Sequence, residues 1–244
     1  MGELFSKSSP KRFSLKVNTV ALRFFFGCLD RRRFSVYNKV RNFGKVQGFF
    51  MKYYDITQEL FTSNVYPGDK APEYRRISDM ADGKVCNITE LEMNAHNGTH
   101  VDAPRHFVRD GITIDEIPLE TMIGECEVVT FDHPLEREDL VKLNLAERGV
   151  KRLLCRGKCW LTMSAAKYFT EEYPGILLIG VETQSIAPEE APMAVHVELL
   201  THGIIALEGL VLTDVPDGTY TLFAAPLKLG GSDGAPCRAV LAAE

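Results

Sequence analysis

The chain has 244 residues, 45% of them hydrophobic and 25% charged, with a formal net charge of −5 at pH 7. That composition excludes a disordered, collagen-like or disulfide-scaffold protein, and the acidic balance speaks against nucleic acid as a partner. No apolar run reaches the ~18–20 residues that cross a bilayer, so no membrane partner is expected either.

The charge is unevenly spread. Residues 1–50 carry 11 Lys and Arg against 2 Asp and Glu, a net of +9, together with nine of the 14 Phe. The remaining residues net −14. This basic leader has no small-residue cleavage site after its short apolar stretch, and it reads as lying outside the fold. Three origins fit it: a targeting segment, a basic arm centred on Arg31, Arg32 and Arg33, or a start codon set upstream of the true one. The last is preferred, because Gln47-Gly48 can be encoded by a ribosome-binding sequence placed just before Met51. Residues 51–244 then form one domain, long enough for a well-buried core.

In that body, strands are expected at 53–60, 74–77, 86–93, 126–131, 152–156, 176–180, 204–211, 220–229 and 237–242. These stretches are short, β-branched or aromatic, and bounded by Gly, Pro, Asn or Asp. Helices are expected at 136–147, at 164–173, where Pro174-Gly175 stops the chain, and at 191–202, which Gly203 ends. Strands outnumber helices and the two types mix, giving an α/β or α+β class with a central sheet or barrel flanked by a few helices. The six cysteines are scattered, and no second pair joins Cys155 and Cys159 to complete a zinc cage. Reduced thiols in a cytoplasmic protein are expected, with Cys155 packed in the core.

The chemistry-bearing stretch is His96-Asn97-Gly98-Thr99-His100-Val101-Asp102-Ala103-Pro104-Arg105-His106-Phe107, which holds three of the six histidines. Gly98 and Pro104 argue for a shaped loop. Such a loop can gather His96, His100 and Asp102 at one point, and imidazole with carboxylate suits a borderline divalent metal such as zinc. His106 then stands beside the metal. Further on, His196 on the third helix and Glu208 on a strand can return to the same centre, with Gly203 turning the chain between them. His133 and His202 read as structural.

These residues resemble the metal-dependent cyclase family, whose members include arylformamidases (kynurenine formamidases) and isatin hydrolases. The resemblance rests on His96-x-Gly98-Thr99-His100-x-Asp102-x-Pro104-x-His106-Phe107 and on Tyr66-Pro67-Gly68-Asp69. The stretches Ala206-Leu207-Glu208-Gly209-Leu210, Ala225-Pro226-Leu227-Lys228-Leu229 and Asp233-Gly234-Ala235-Pro236-Cys237-Arg238 carry the rest. It implies a swivelling β/β/α fold and a homo-oligomer, often a dimer. It also implies one metal held by His96, His100 and Asp102 and a second held by Asp102, His196 and Glu208, with His106 as acid and base. Zinc is the expected ion, singly or as a pair, with manganese as the alternative. Tyr66 stands where the formamidases carry a pocket-lining Trp, and the chain's one Trp, Trp160, lies elsewhere in the sequence. The expected reaction on a small-molecule substrate is hydrolysis of N-formylkynurenine to kynurenine and formate by metal-acidified water. Cleavage of another cyclic amide or ester is the alternative, and a non-catalytic metal-binding protein is the third reading.

Overall fold

The computed structural model describes residues 51–243. The basic leader, with Arg31, Arg32, Arg33 and Cys28, lies outside them. Eleven strands are present: β1 (Lys52–Asp55), β2 (Glu73–Ser78), β3 (Ile88–Glu92), β4 (His100–Asp102), β5 (Ile123–Thr130), β6 (Arg152–Arg156), β7 (Leu178–Val181), β8 (Ile205–Glu208), β9 (Gly218–Phe223), β10 (Gly234–Pro236) and β11 (Val240–Ala243). The helices are α1 (Leu119–Met122), α2 (Arg137–Leu143), α3 (Leu145–Arg148), α4 (Met163–Lys167) and α5 (Pro192–Thr201).

Nine strands form one mixed sheet in the order β1-β11-β9-β5-β6-β7-β8-β4-β10. The run β5-β6-β7-β8 is parallel, and every other pairing in this sheet is antiparallel. The sheet must curl. Strands β11 and β10 are seven strand spacings apart, about 34 Å in a flat sheet at ~4.8 Å each. Only residues 237–239 join them, and that link spans at most about 14 Å when extended. Further on, Thr57 bridges to Leu210, bringing the β1 side of the sheet to the end of β8.

Each face of the curl has its own core, because alternate residues of a strand point to opposite faces. The inner face gathers Val101, Val128, Leu154, Leu178, Leu207, Leu222 and Leu241. The outer face packs Leu153, Cys155, Ile179, Val181 and Ala206 beneath Leu140, Leu145, Phe169, Val195 and Leu199 of the helical layer. The middle parallel strands are therefore buried on both sides, which explains the apolar runs Leu153-Leu154-Cys155 in β6 and Leu178-Ile179-Gly180-Val181 in β7.

The expected elements shift in several places, among them the strand 220–229, which ends at Phe223, and the strand 204–211, which ends at Glu208. The strand 53–60 stops at Asp55, because residues 56–58 turn away to pair with Ala239, Leu210 and Thr99. The helix 136–147 breaks at Asn144, which adopts a left-handed φ of 50° between α2 and α3. The helix 164–173 starts as α4 and then widens into a π turn over Tyr168–Glu172. His100–Asp102, read as loop, is a strand wedged between β8 and β10. The β2–β3 hairpin stands apart from the sheet, with nearly every side chain exposed.

Candidate metal centre

Strand β4 organises the centre. His100 and Asp102 are two residues apart and share a face, while Val101 between them points into the inner core. Glu208 of β8 lies directly across from His100 in the antiparallel pair, so its carboxylate rises on the same face. Helix α5 lays His196 over that face, and the turn before β4 adds His96. Gly234, opposite Asp102 on β10, leaves room for His96: a Cβ there would sit 2.7 Å from His96 Cε1. The seven-residue stretch 96–102 and the distant pair His196 and Glu208 thus meet in one place.

The contacts are short. His100 Nε2 lies 3.3 Å from Glu208 Oε2 and 3.5 Å from Asp102 Oδ1. His196 Nε2 lies 3.1 Å from Glu208 Oε1 and 3.5 Å from Asp102 Oδ2. His96 Nδ1 lies 2.8 Å from Asp102 Oδ1. Two sets of three donors, His96 with Asp102 and His106, and His100 with Asp102 and Glu208, have ligand atoms within 4.8 Å of one another. Asp102 belongs to both sets.

Hydrogen bonds fix the tautomers. The His100 Nδ1–H donates to Gly98 O at 2.9 Å, and the His196 Nδ1–H donates to Pro192 O at 2.7 Å. A backbone carbonyl only accepts, so both Nε2 atoms are left to face the carboxylates. Without a cation, extra protons must fill that role. Burial is the largest single influence and pulls both imidazoles down, but Asp102 and Glu208 outweigh it and hold each at about 10. Burial likewise pushes the Asp102 carboxyl up, yet the surrounding imidazoles keep it well below the usual range. Even so, buried Asp102 Oδ2 has no hydrogen-bond partner. An orphaned carboxylate oxygen among imidazole nitrogens and a second carboxylate is a donor set that fits a divalent cation.

The centre floors a cavity of about 390 Å³. Its wall includes His106 and Tyr66, so every expected site residue lies in or beside it. His106 stacks on His96 with ring centroids 4.0 Å apart, and burial lowers its pKa below the ordinary imidazole value. Phe107 stacks on His196 at 4.7 Å. Trp160, distant in sequence, lines an adjoining cavity that shares Tyr66. His133 and His202 sit on the surface, away from the centre. The described cysteines are all free, and four of the five are buried. None lines the cavity.

One residue of the site escaped the sequence reading. Asp233, just before β10, accepts from His96 Nε2 at 2.9 Å and from His106 Nδ1 at 3.1 Å. Its Asp-Gly-Ala-Pro context showed in the sequence, but no local spacing ties it to histidines 127 and 137 residues away.

The Cyclase family model matches residues 54–188. The chain is 35% identical over 199 residues to a kynurenine formamidase of Erythrobacter litoralis, covering 77% of this chain and 92% of that protein. Among solved structures, a potential metal-dependent hydrolase with cyclase activity superposes with a TM-score of 0.70 at 30% identity, covering 80% of this chain and 98% of the other. Isatin hydrolase A from Labrenzia aggregata, bound to benzyl benzoate, superposes with a TM-score of 0.68 at 25% identity, covering 79% of this chain and 93% of the other. By sequence and by fold, the chain belongs to the cyclase family of metal-dependent hydrolases.

Proposed function

We propose that this protein is a metal-dependent amidohydrolase of the arylformamidase type, cleaving the C–N bond of N-formylkynurenine to give kynurenine and formate. The observation that carries this reading is the buried Asp102 Oδ2, without a hydrogen-bond partner, at the floor of a cavity of about 390 Å³, ringed by imidazoles and Glu208. The likeness to a kynurenine formamidase over 92% of that protein supports the substrate. His96, His100, Asp102, His196 and Glu208 would hold the cation, one ion or two, with zinc preferred and manganese the alternative. Such an ion supplies an acidified water and polarises the substrate carbonyl.

The remaining chemistry belongs to the side chains. Asp233 accepts the His106 Nδ1–H, which leaves Nε2 as the basic nitrogen. Burial keeps His106 neutral at pH 7, so it takes a proton from the attacking water and returns it to the departing amine nitrogen. Tyr66 and Phe107 line the cavity and restrict bulk water around the substrate ring.

Three further proposals accompany this one. Residues 51–244 are the functional domain, without the basic leader. The chain forms a homodimer, because a lone two-stranded hairpin is marginal in water and β2–β3 exposes the cross-strand pair Tyr74 and Leu91. Leu91→Asp should leave a monomer in light scattering if that face is the contact. Free buried thiols support a cytoplasmic location.

The test strips the full chain with a chelator, reloads it with zinc or manganese, and follows N-formylkynurenine, isatin and a lactone in parallel. Hydrolysis that needs added ion and is fastest on the formyl amide supports the reading. Faster cleavage of isatin moves the assignment to lactams, a possibility that the likeness to isatin hydrolase A favours. Full activity in the presence of chelator overturns the metal requirement.

A further inference from the structure

The cavity above the metal centre is rich in acceptors, for the carboxylates of Asp69, Asp233 and Glu208 all line it. Hydrolysis of an amide places negative charge on the carbonyl oxygen, and that charge calls for a donor. Uncharged side-chain donors on the wall are few. The Gln184 amide is buried out of a ligand's reach. The Tyr66 and Ser185 hydroxyls line the cavity, but a hydroxyl hydrogen rotates to suit its surroundings and is not aimed in advance.

Asn94 differs, because its carboxamide is held. Its Oδ1 accepts from the His96 backbone N–H at 2.9 Å. A backbone N–H only donates, so the oxygen end of the amide is settled and Nδ2 is the other end. The backbone of Asn94 is held too. Its N–H donates to Asn97 Oδ1 at 2.9 Å, and buried Asn97 donates through Nδ2 to Lys70 O at 3.1 Å. The turn that presents His96 therefore also fixes the Asn94 amide on the same cavity wall. Among the described residues Asn94 Nδ2 meets no hydrogen-bond partner, and it is not a buried atom, which leaves its protons for a ligand in the cavity.

We propose that Asn94 is a catalytic residue, whose Nδ2–H donates to the carbonyl oxygen of the amide under attack. This rests on the hydrolase reading above and adds a donor that the chain itself supplies. As the water oxygen bonds to the formyl carbon, the C=O π pair moves onto the carbonyl oxygen, and the hydrogen bond from Asn94 strengthens against the growing charge. When that pair returns, the C–N bond breaks, and His106 gives the departing nitrogen the proton it took from water. The products are formate and the arylamine. The amide is already oriented, so no rearrangement is needed at the moment of reaction.

The test compares Asn94→Asp and Asn94→Ser in the full-length, ion-reloaded protein. Both keep an oxygen that can accept the His96 N–H, and neither carries the amide donor. On N-formylkynurenine, kcat should fall about 100-fold, the low end for one lost oxyanion donor, with KM within about twofold and bound metal unchanged. On the thioformyl analogue, whose sulfur is a weak acceptor, the loss should shrink to less than about threefold. A residue that only shaped the turn would be rescued by Asp and would cost the same on both substrates. Calorimetry with P-methyl-N-phenylphosphonamidate, a charged tetrahedral mimic of the attacked amide, gives a readout without turnover. The wild type should bind it about tenfold tighter than Asn94→Ser, as expected for one hydrogen bond to a charged group. An unchanged kcat, equal losses on the two substrates, a metal loss that matches the activity loss, or equal affinity for the mimic would each overturn the assignment, while cleavage by the wild type keeps the hydrolase reading. A wild type that binds the mimic through Asn94 and cleaves no formyl amide would instead overturn the hydrolase reading and leave the donor site standing.

Discussion

Replacing Asp233 with Asn tests how His106 is held. The carboxylate now accepts from His96 Nε2 at 2.9 Å and from His106 Nδ1 at 3.1 Å through one oxygen. A carboxamide oxygen can still accept, but its NH2 must meet an acceptor. When that acceptor is His106 Nδ1, the imidazole proton moves to Nε2 and the base is lost. A hydrogen bond to a charged group is worth ~1.5–3 kcal/mol against ~0.5–1.5 for a neutral one, so the direct loss is about 1–1.5 kcal/mol. Asp233 is 46% exposed, which keeps the loss at the low end of that range. That alone is about fivefold in rate. The wrong tautomer can cost up to ~10⁴ in kcat where the orienting carboxylate is buried. For this half-exposed one, kcat should fall about 100-fold with KM little changed. Steady-state kinetics on ion-reloaded protein, paired with metal analysis, measure it. An unchanged kcat, or a metal loss that matches the activity loss, would refute Asp233 as the group that positions His106.

Other perturbations separate the remaining roles. His100→Ala and Asp102→Ala should each lose bound metal and activity together, seen by metal analysis beside the rate assay. His106→Ala should retain metal and lose roughly 10²–10⁴ in rate, the span typical of a removed general acid and base. Because burial lowers the His106 pKa, kcat/KM should rise with pH to a plateau with its midpoint below ~6.5; a midpoint above that value would contradict the assignment. In chelator-stripped protein, His100 and His196 are held at about 10, above the ~6.5 of an unfolded chain. Their stabilisation is complete below ~6.5 and is lost as pH rises towards 10, so the Tm of the stripped protein should fall across that window in a calorimetric series.

The local cluster was the most legible part of the site, because His96, His100, Asp102 and His106 lie within 11 residues and their side-chain types name their chemistry. The central strand β6 (Arg152–Arg156) was read with its observed bounds, since a strand buried on both faces leaves an unbroken apolar run. Strand β4 was not, because three residues between a Gly and a Pro carry no period, and only β8 and β10, more than 100 residues away, make them a strand. The same distance hid β10 and Asp233. His196 and Glu208 had no local signal beyond residue type, and it is the pairing of β8 with β4 that sets Glu208 opposite His100. The break at Asn144 was missed because the apolar positions run on through it, whereas the left-handed turn depends on that one residue's backbone.

The tie between β10 and β11 has a consequence for biosynthesis. Residues 233–243 anchor His106, flank the strand that carries His100 and Asp102, and, through β11, pair with β1 near the start of the domain. A nascent domain lacking this stretch would have neither the Asp233 carboxylate against His106 nor a closed sheet. Closure of the sheet therefore waits on residues 233–243, and a single proteolytic cut at residues 237–239 should open the fold.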